Sequence, residues 1–136
     1  LLVDDRLGQT RELFNDPLNP CYIDAFHRIN DDSNQYLMVV CMHKKIMGTC
    51  HATLVPSLTF KGSARMQIEA VRVHPDARNN NIGQQMIAFA MDWGKQNGAT
   101  IFQLTTNKAR VDALRFYEKL GFKATHEGMK LYLEQQ

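Results

Sequence analysis

The sequence predicts a mixed α/β domain rather than a regular doubly wound one. Three observations carry this. Helical and irregular patterning fills the first third of the chain. Two strand-like apolar runs joined by a polar turn come next. A strand-helix-strand-helix-strand alternation then occupies the remainder. The 136 residues suit one domain spanning 1–136, with length enough for one sizeable core.

Arg6 to Phe14 predicts a short helix, and Asn15-Asp16-Pro17 with Asn19-Pro20 are turn signals. Cys21 to Ile29 predicts a second helix, because Tyr22, Ile23, Phe26 and Ile29 recur near helical spacing. Asn30 to Asn34 is a polar loop. Tyr36–Met42 and Ile46–Val55 read as strands around the turn His43-Lys44-Lys45, which suggests an antiparallel hairpin. Pro56 to Ser63 is a connection. Ala64 to His74 is a further strand, with Glu69, Val71 and Val73 alternating onto one face.

Pro75 to Asn81 reads as a polar loop with neither helix nor strand pattern. Ile82 to Gln96 is strongly amphipathic, with Ile82, Met86, Phe89, Ala90 and Trp93 along one face. Gly98 is suited to stop it. Ile101–Thr105 is a short strand. Asn107 is a candidate N-cap for a helix over about 108–120, and Gly121 is its natural stop. Phe122–Thr125 and Met129–Leu133 read as closing strands around His126-Glu127-Gly128.

Composition excludes several classes. Apolar residues make up 44% and charged residues 22%, and the net charge is only +2 with both signs interspersed. No basic run points to nucleic acid or a membrane surface. No transmembrane-length apolar run or signal peptide is visible, so a cytoplasmic protein is expected. Cys21, Cys41 and Cys50 form no metal-type pair, and their odd number argues against a complete disulfide framework. His27, His43, His51 and His126 show no ligand spacing, so no metal is expected.

The segment Arg78-Asn79-Asn80-Asn81-Ile82-Gly83 joins a strand to a helix. The first turn of a helix presents unpaired N–H groups and partial positive charge, which phosphate oxygens satisfy. Gly83 permits close approach, the asparagines tolerate unusual backbone angles, and Arg78 adds a permanent charge. An ordinary Asn-rich turn with a solvated Arg has the same composition. Neither Gly-x-x-x-x-Gly-Lys-Ser/Thr nor Gly-x-Gly-x-x-Gly is present, which argues against triphosphate hydrolysis and dinucleotide redox chemistry.

The strand Ile68 to Pro75, followed by Arg78-x-x-Asn81-x-Gly83, resembles the cofactor segment of the GNAT (Gcn5-related) N-acetyltransferase superfamily. Asn107 to Phe122, containing Ala113 and Phe116-Tyr117-Glu118-Lys119-Leu120-Gly121-Phe122, resembles the second signature of the same family. The likeness is clear over about residues 35 to 133. Near Asn81 and around Asn107-x-x-Arg110-x-Asp112 it is closest to small-amine acetyltransferases such as aminoalkylphosphonate N-acetyltransferases. Asn81 stands where the family pattern has its first Gly. The family also opens with a strand, and here a first strand is expected upstream of Leu1.

The resemblance implies a largely antiparallel mixed sheet with a diverging parallel strand pair and flanking helices. It implies acetyl-CoA as co-substrate, without metal, and acetyl transfer to a primary amine by direct attack in a ternary complex. Expected cofactor contacts are Val71, Arg72, Val73, Arg78, Asn79, Asn80, Asn81, Ile82, Gly83, Gln84, Asn107, Ala113, Phe116 and Lys119. Tyr117 is the expected general acid, and Glu69 the expected base, working through water. Glu69 is equally suited to a salt bridge or to anchoring a substrate ammonium, and Phe116 to simple core packing. Tyr22, Phe26 and Phe60 are candidates to line a small-molecule amine pocket. A peptide acceptor and a non-catalytic acyl-CoA sensor are the alternatives. A homodimer is left open.

Overall fold

The structure, a computed structural model, describes residues 1–4 and 6–133. The chain divides into two compact units, Leu1–Leu104 and Thr105–Gln136.

In the first unit, α1 (Gly8–Arg11) is a single turn rather than the expected helix over 6–14. No side chain caps its start, and Glu12 is already extended. Leu13 and Phe14 are exposed, so no apolar face exists to hold a longer helix. α2 (Pro20–Asn30) forms as expected. The Asn19 side chain accepts from the Cys21 N–H, and Pro20 sits where a missing N–H costs nothing.

Four strands follow in spatial order β1 (Gln35–Met42), β2 (Lys45–Val55), β3 (Ala64–Val73) and β4 (Ala99–Leu104). β1–β2 and β2–β3 are antiparallel, and β3–β4 is parallel. The hairpin turn uses His43 and Lys44 at positive φ, as a tight connection of twisted strands requires. The Pro56–Ser63 connection contains one turn, α3 (Thr59–Gly62), in which Phe60 and Lys61 are left-handed.

One face of the sheet meets α4 (Ile82–Gln96), which packs on β2, β3 and β4. Met38, Cys50, Ala52, Leu54, Met66 and Ile68 from the strands are buried with Ile82, Met86, Ile87 and Ala90 from the helix. Two expectations on α4 change. Phe89 is 61% exposed, and Ile87 takes the inward position instead. Trp93 is half-buried and its ring lies 5.4 Å from that of Tyr36. Gly94 is needed for contact: a Cβ there would stand 2.6 Å from Met66 Sδ and 2.9 Å from Phe102 Cε1.

The segment expected to be a featureless loop before α4 begins with a 3₁₀ turn, Pro75–Ala77. His74 caps it by accepting the Asp76 N–H on Nδ1, and Ala77 is buried. Ala77 is the small apolar anchor that the polar composition concealed.

In the second unit, α5 (Val111–Lys119) starts three residues later than expected. Asn107 does not cap it. Its Oδ1 accepts the Ala109 N–H and its carbonyl accepts the Arg110 N–H, so Asn107 closes a separate turn. Gly121, at φ 97, ends the helix as expected. The two closing strands do not form within residues 122–133. Met129, Leu131, Tyr132 and Leu133 are 80–93% exposed and belong to no ladder. Alternation of apolar residues makes a strand only where a neighbouring strand pairs with it.

Candidate active site

β3 outruns its parallel neighbour. Pairing with β4 ends at Ile68 opposite Leu104, while β3 continues to Val73. The His74 N–H reaches the Met47 carbonyl on the β2 side. Alternation along a strand therefore turns the main-chain groups of Val73 and Val71 away from β2, toward the edge that β4 leaves open.

A bulge lies at the beginning of this stretch. His51 pairs with Glu69 and Thr49 with Arg72, so two β3 residues face one on β2. Ala70 absorbs the extra residue at φ 51, a left-handed conformation that costs a non-glycine residue about 1 kcal/mol. Two guanidinium groups are attached to the open edge. Arg72 Nη1 donates to the Val71 carbonyl at 2.8 Å, and Arg78 Nε donates to the Val73 carbonyl at 3.4 Å.

The edge leads into the start of α4. Asn79 and Asn81 take φ 65 and 58, so asparagine supplies the left-handed turn where the family pattern has glycine. The Asn81 side chain does not cap the helix, and the first helical bond runs from the Gln85 N–H to the Asn81 carbonyl. The N–H groups of Ile82, Gly83 and Gln84 thus precede the hydrogen-bonded ladder. An amide-bearing arm along β3 and a phosphate at the α4 start fit these donors.

Glu69 is exposed on the sheet face opposite α4. Alternation and register place it with His51, Thr53 and Gln67, and Gln67 Oε1 accepts from Gln103 at 2.9 Å. His51 Nε2 lies 2.8 Å from Gln35 Oε1, and Gln35 Nε2 lies 2.9 Å from Asp32 Oδ2. The Gln35 amide and the Asn34 N–H hold the Asp32 carboxyl below its ordinary range. Sequence reasoning passed over Gln35 and considered His51 only as a metal ligand. Strand alternation from Gln35 and from His51 was the available signal, and it needed the β1–β2 register to become a contact.

The second unit holds Asn107, Ala113, Phe116, Tyr117 and Lys119. Ala113, Phe116 and Tyr117 are half-buried, while Asn107 and Lys119 are exposed. The Tyr117 ring stands between Phe116 and Phe122, with centroids 5.1 and 6.0 Å away. Edge-on aromatic packing of this kind fixes the ring.

The suggested amine-pocket residues are dispersed in their contacts. Tyr22 accepts the Leu13 N–H and donates to Glu12 Oε2. Phe26 is half exposed beside His27, and Phe60 lies under the Arg65 guanidinium at 5.6 Å. No helix among the described residues is long and apolar enough to cross a membrane. Among the same residues no cluster of three or more His, Cys, Asp or Glu stands ready for a metal ion.

An open strand edge running into a helix start with unpaired N–H groups is a shape suited to an elongated, phosphate-bearing ligand. Residues 2–122 match the model of the Acetyltransferase (GNAT) family, and the chain belongs to that family. It is similar to the aminoalkylphosphonate N-acetyltransferase of Salmonella typhimurium, at 40% identity over 60 residues, covering 44% of this chain and 39% of the relative. It is also similar to the glucosamine 6-phosphate N-acetyltransferase of Trypanosoma brucei brucei, at 32% identity, covering 65% of this chain and 58% of that one. The chain thus matches well under two thirds of the length of either curated relative. A solved structure described as a transcriptional regulator from Bacillus halodurans C-125 superposes with a TM-score of 0.94 at 47% identity, covering 97% of this chain and 88% of that one.

Proposed function

We propose that this protein transfers acetyl from acetyl-CoA to the primary amine of a small molecule, both units acting as one acetyltransferase domain. The observation that carries the reading is β3 extending past β4 and leading, through the Pro75–Ala77 3₁₀ turn, into the left-handed turn at Asn79 and Asn81. Both curated relatives are named for acceptors that pair an amine with a phosphonate or phosphate, so an anionic amine is the acceptor class proposed here.

The thioester of acetyl-CoA supplies the activated acetyl group. Main-chain groups of Val71 and Val73 bind the pantetheine arm, with Arg72 and Arg78 released from their carbonyls. The Asn79–Gln84 backbone and the Arg78 charge bind the pyrophosphate. Asn107, Ala113, Phe116 and Lys119 are the contacts assigned from the second unit. Glu69 holds the substrate ammonium or takes its proton through water, and Tyr117 Oη supplies a proton to the departing thiolate. Alignment of amine and thioester accounts for most of the acceleration.

A second reading is an acyl-CoA-responsive binding domain without transfer, favoured by the description of the Bacillus halodurans structure as a regulator. One experiment separates the two: acetyl-CoA is mixed with a panel including 2-aminoethylphosphonate and glucosamine 6-phosphate, and free thiol is read. Amine-dependent release is expected. Calorimetric binding of acetyl-CoA with no release from any amine would support the binding domain instead, and absence of binding would remove both.

A further inference from the structure

Resting on the transfer reading above, we infer that His51 is the positioning and proton-accepting partner of Glu69, held for that role by Gln35 and Asp32. A carboxylate accepts hydrogen bonds only, so Asp32 Oδ2 must face the amide nitrogen of Gln35. That orientation leaves Gln35 Oε1, also an acceptor, against His51 Nε2 at 2.8 Å. The Nε2 atom must then carry a proton. In the neutral imidazole, Nδ1 is left as the acceptor. Two amide-type hydrogen bonds thus select one tautomer from a distance of two residues.

Across the ladder His51 pairs with Glu69 immediately before the Ala70 bulge. Opposed side chains on one face of an antiparallel pair have Cβ atoms about 5 Å apart. The two side chains are therefore neighbours on one sheet face, and the relay proposed here places one water between them. The bulge begins directly after Glu69, so this pair lies at the junction between regular ladder and open edge. His51 is half-buried and Glu69 exposed, which gives an outer anchor and an inner acceptor.

The proton step balances as follows. An ammonium held at Glu69 gives one proton to the intervening water, which passes one to His51 Nδ1. The freed amine lone pair attacks the acetyl carbon, the C–S bond breaks and the departing thiolate takes the Tyr117 Oη proton. The second proton of the attacking nitrogen is lost to solvent, from which Tyr117 is reprotonated, and the imidazolium returns the first proton to solvent. Its added positive charge faces Glu69 on one side and, through the polarised Gln35 amide, Asp32 on the other. Other charged groups on this sheet face are Arg65 and Arg72 of β3, the latter opposite Thr49. α2, packed on β1, carries Asp24, His27 and Arg28.

The test uses the full chain with acetyl-CoA and whichever amine of the panel the wild type accepts. His51→Asn is expected to lower kcat about 10²-fold with the KM for acetyl-CoA unchanged, and to flatten the acidic limb of the pH–rate profile. Gln35→Leu is expected to shift that limb while leaving His51 in place. Imidazole ¹⁵N spectra check the tautomer independently: wild type should show His51 protonated on Nε2, and Gln35→Leu should show a mixture. An unchanged acidic limb in His51→Asn overturns the proposal, as does a wild-type His51 protonated on Nδ1. A wild type that releases no thiol with any amine overturns the transfer reading itself.

Discussion

Ala70 and Cys50 show how single positions carry stress and protection in this sheet. Ala70 holds a left-handed backbone without being glycine. Ala70→Gly should therefore stabilise the fold by up to about 1 kcal/mol in urea unfolding, less the added chain entropy of glycine. Cys50 is fully buried, and burial pushes its thiol up from 9.0 to about 11. The folded thiol stays neutral while the unfolded one ionises. Stability from this group is complete below pH 9 and falls as pH rises toward 11, by about 3 kcal/mol across that window. Cys21 and Cys41 are exposed, so a thiol reagent at neutral pH should titrate two cysteines promptly and the third only on unfolding. For the proposed chemistry, Tyr117→Phe should cut turnover about 10²-fold and leave the Kd for acetyl-CoA nearly unchanged. Unaltered turnover would remove the general-acid role.

The elements differ in how plainly their sequences announce them. β1, β2, β3 and α4 were legible to within a residue or two, because each combines a long apolar period with an unambiguous stop. The left-handed turn at Asn81 was legible too, since asparagine is the usual substitute where glycine is absent. The misreadings have local causes. Asn107 has the composition of a cap, but its side chain closes a turn one step earlier in the chain. Phe89 matched the helical period and lost its inward place to Ile87, whose angle on α4 points more directly at the sheet. Residues 129–133 alternate as a strand does, but alternation cannot supply the missing hydrogen-bonding partner. Gly94 marks the closest approach of α4 to the sheet. Gly94→Ala should destabilise by about 1–3 kcal/mol in spite of better helix propensity, because Met66 and Phe102 already occupy the space a methyl needs.

At the scale of the molecule, family membership spans both units, since the matched residues run from 2 to 122. The family was legible from two separated motifs, whereas the acceptor of the proposed reaction was not, because no short pattern encodes an amine pocket. Acetyl-CoA at a hundredfold excess over its Kd should raise stability by about 2.7 kcal/mol, read as an upward shift in Tm. A flat Tm across that titration would contradict the proposed site. The part of β3 that outruns β4 has a consequence for mutational tolerance. Its proposed contacts are made by peptide groups, which every residue except proline possesses in full. In a saturation library Val71 and Val73 should accept varied side chains and reject proline. Such a surface can retain one donor molecule while the side chains around it drift toward new acceptors.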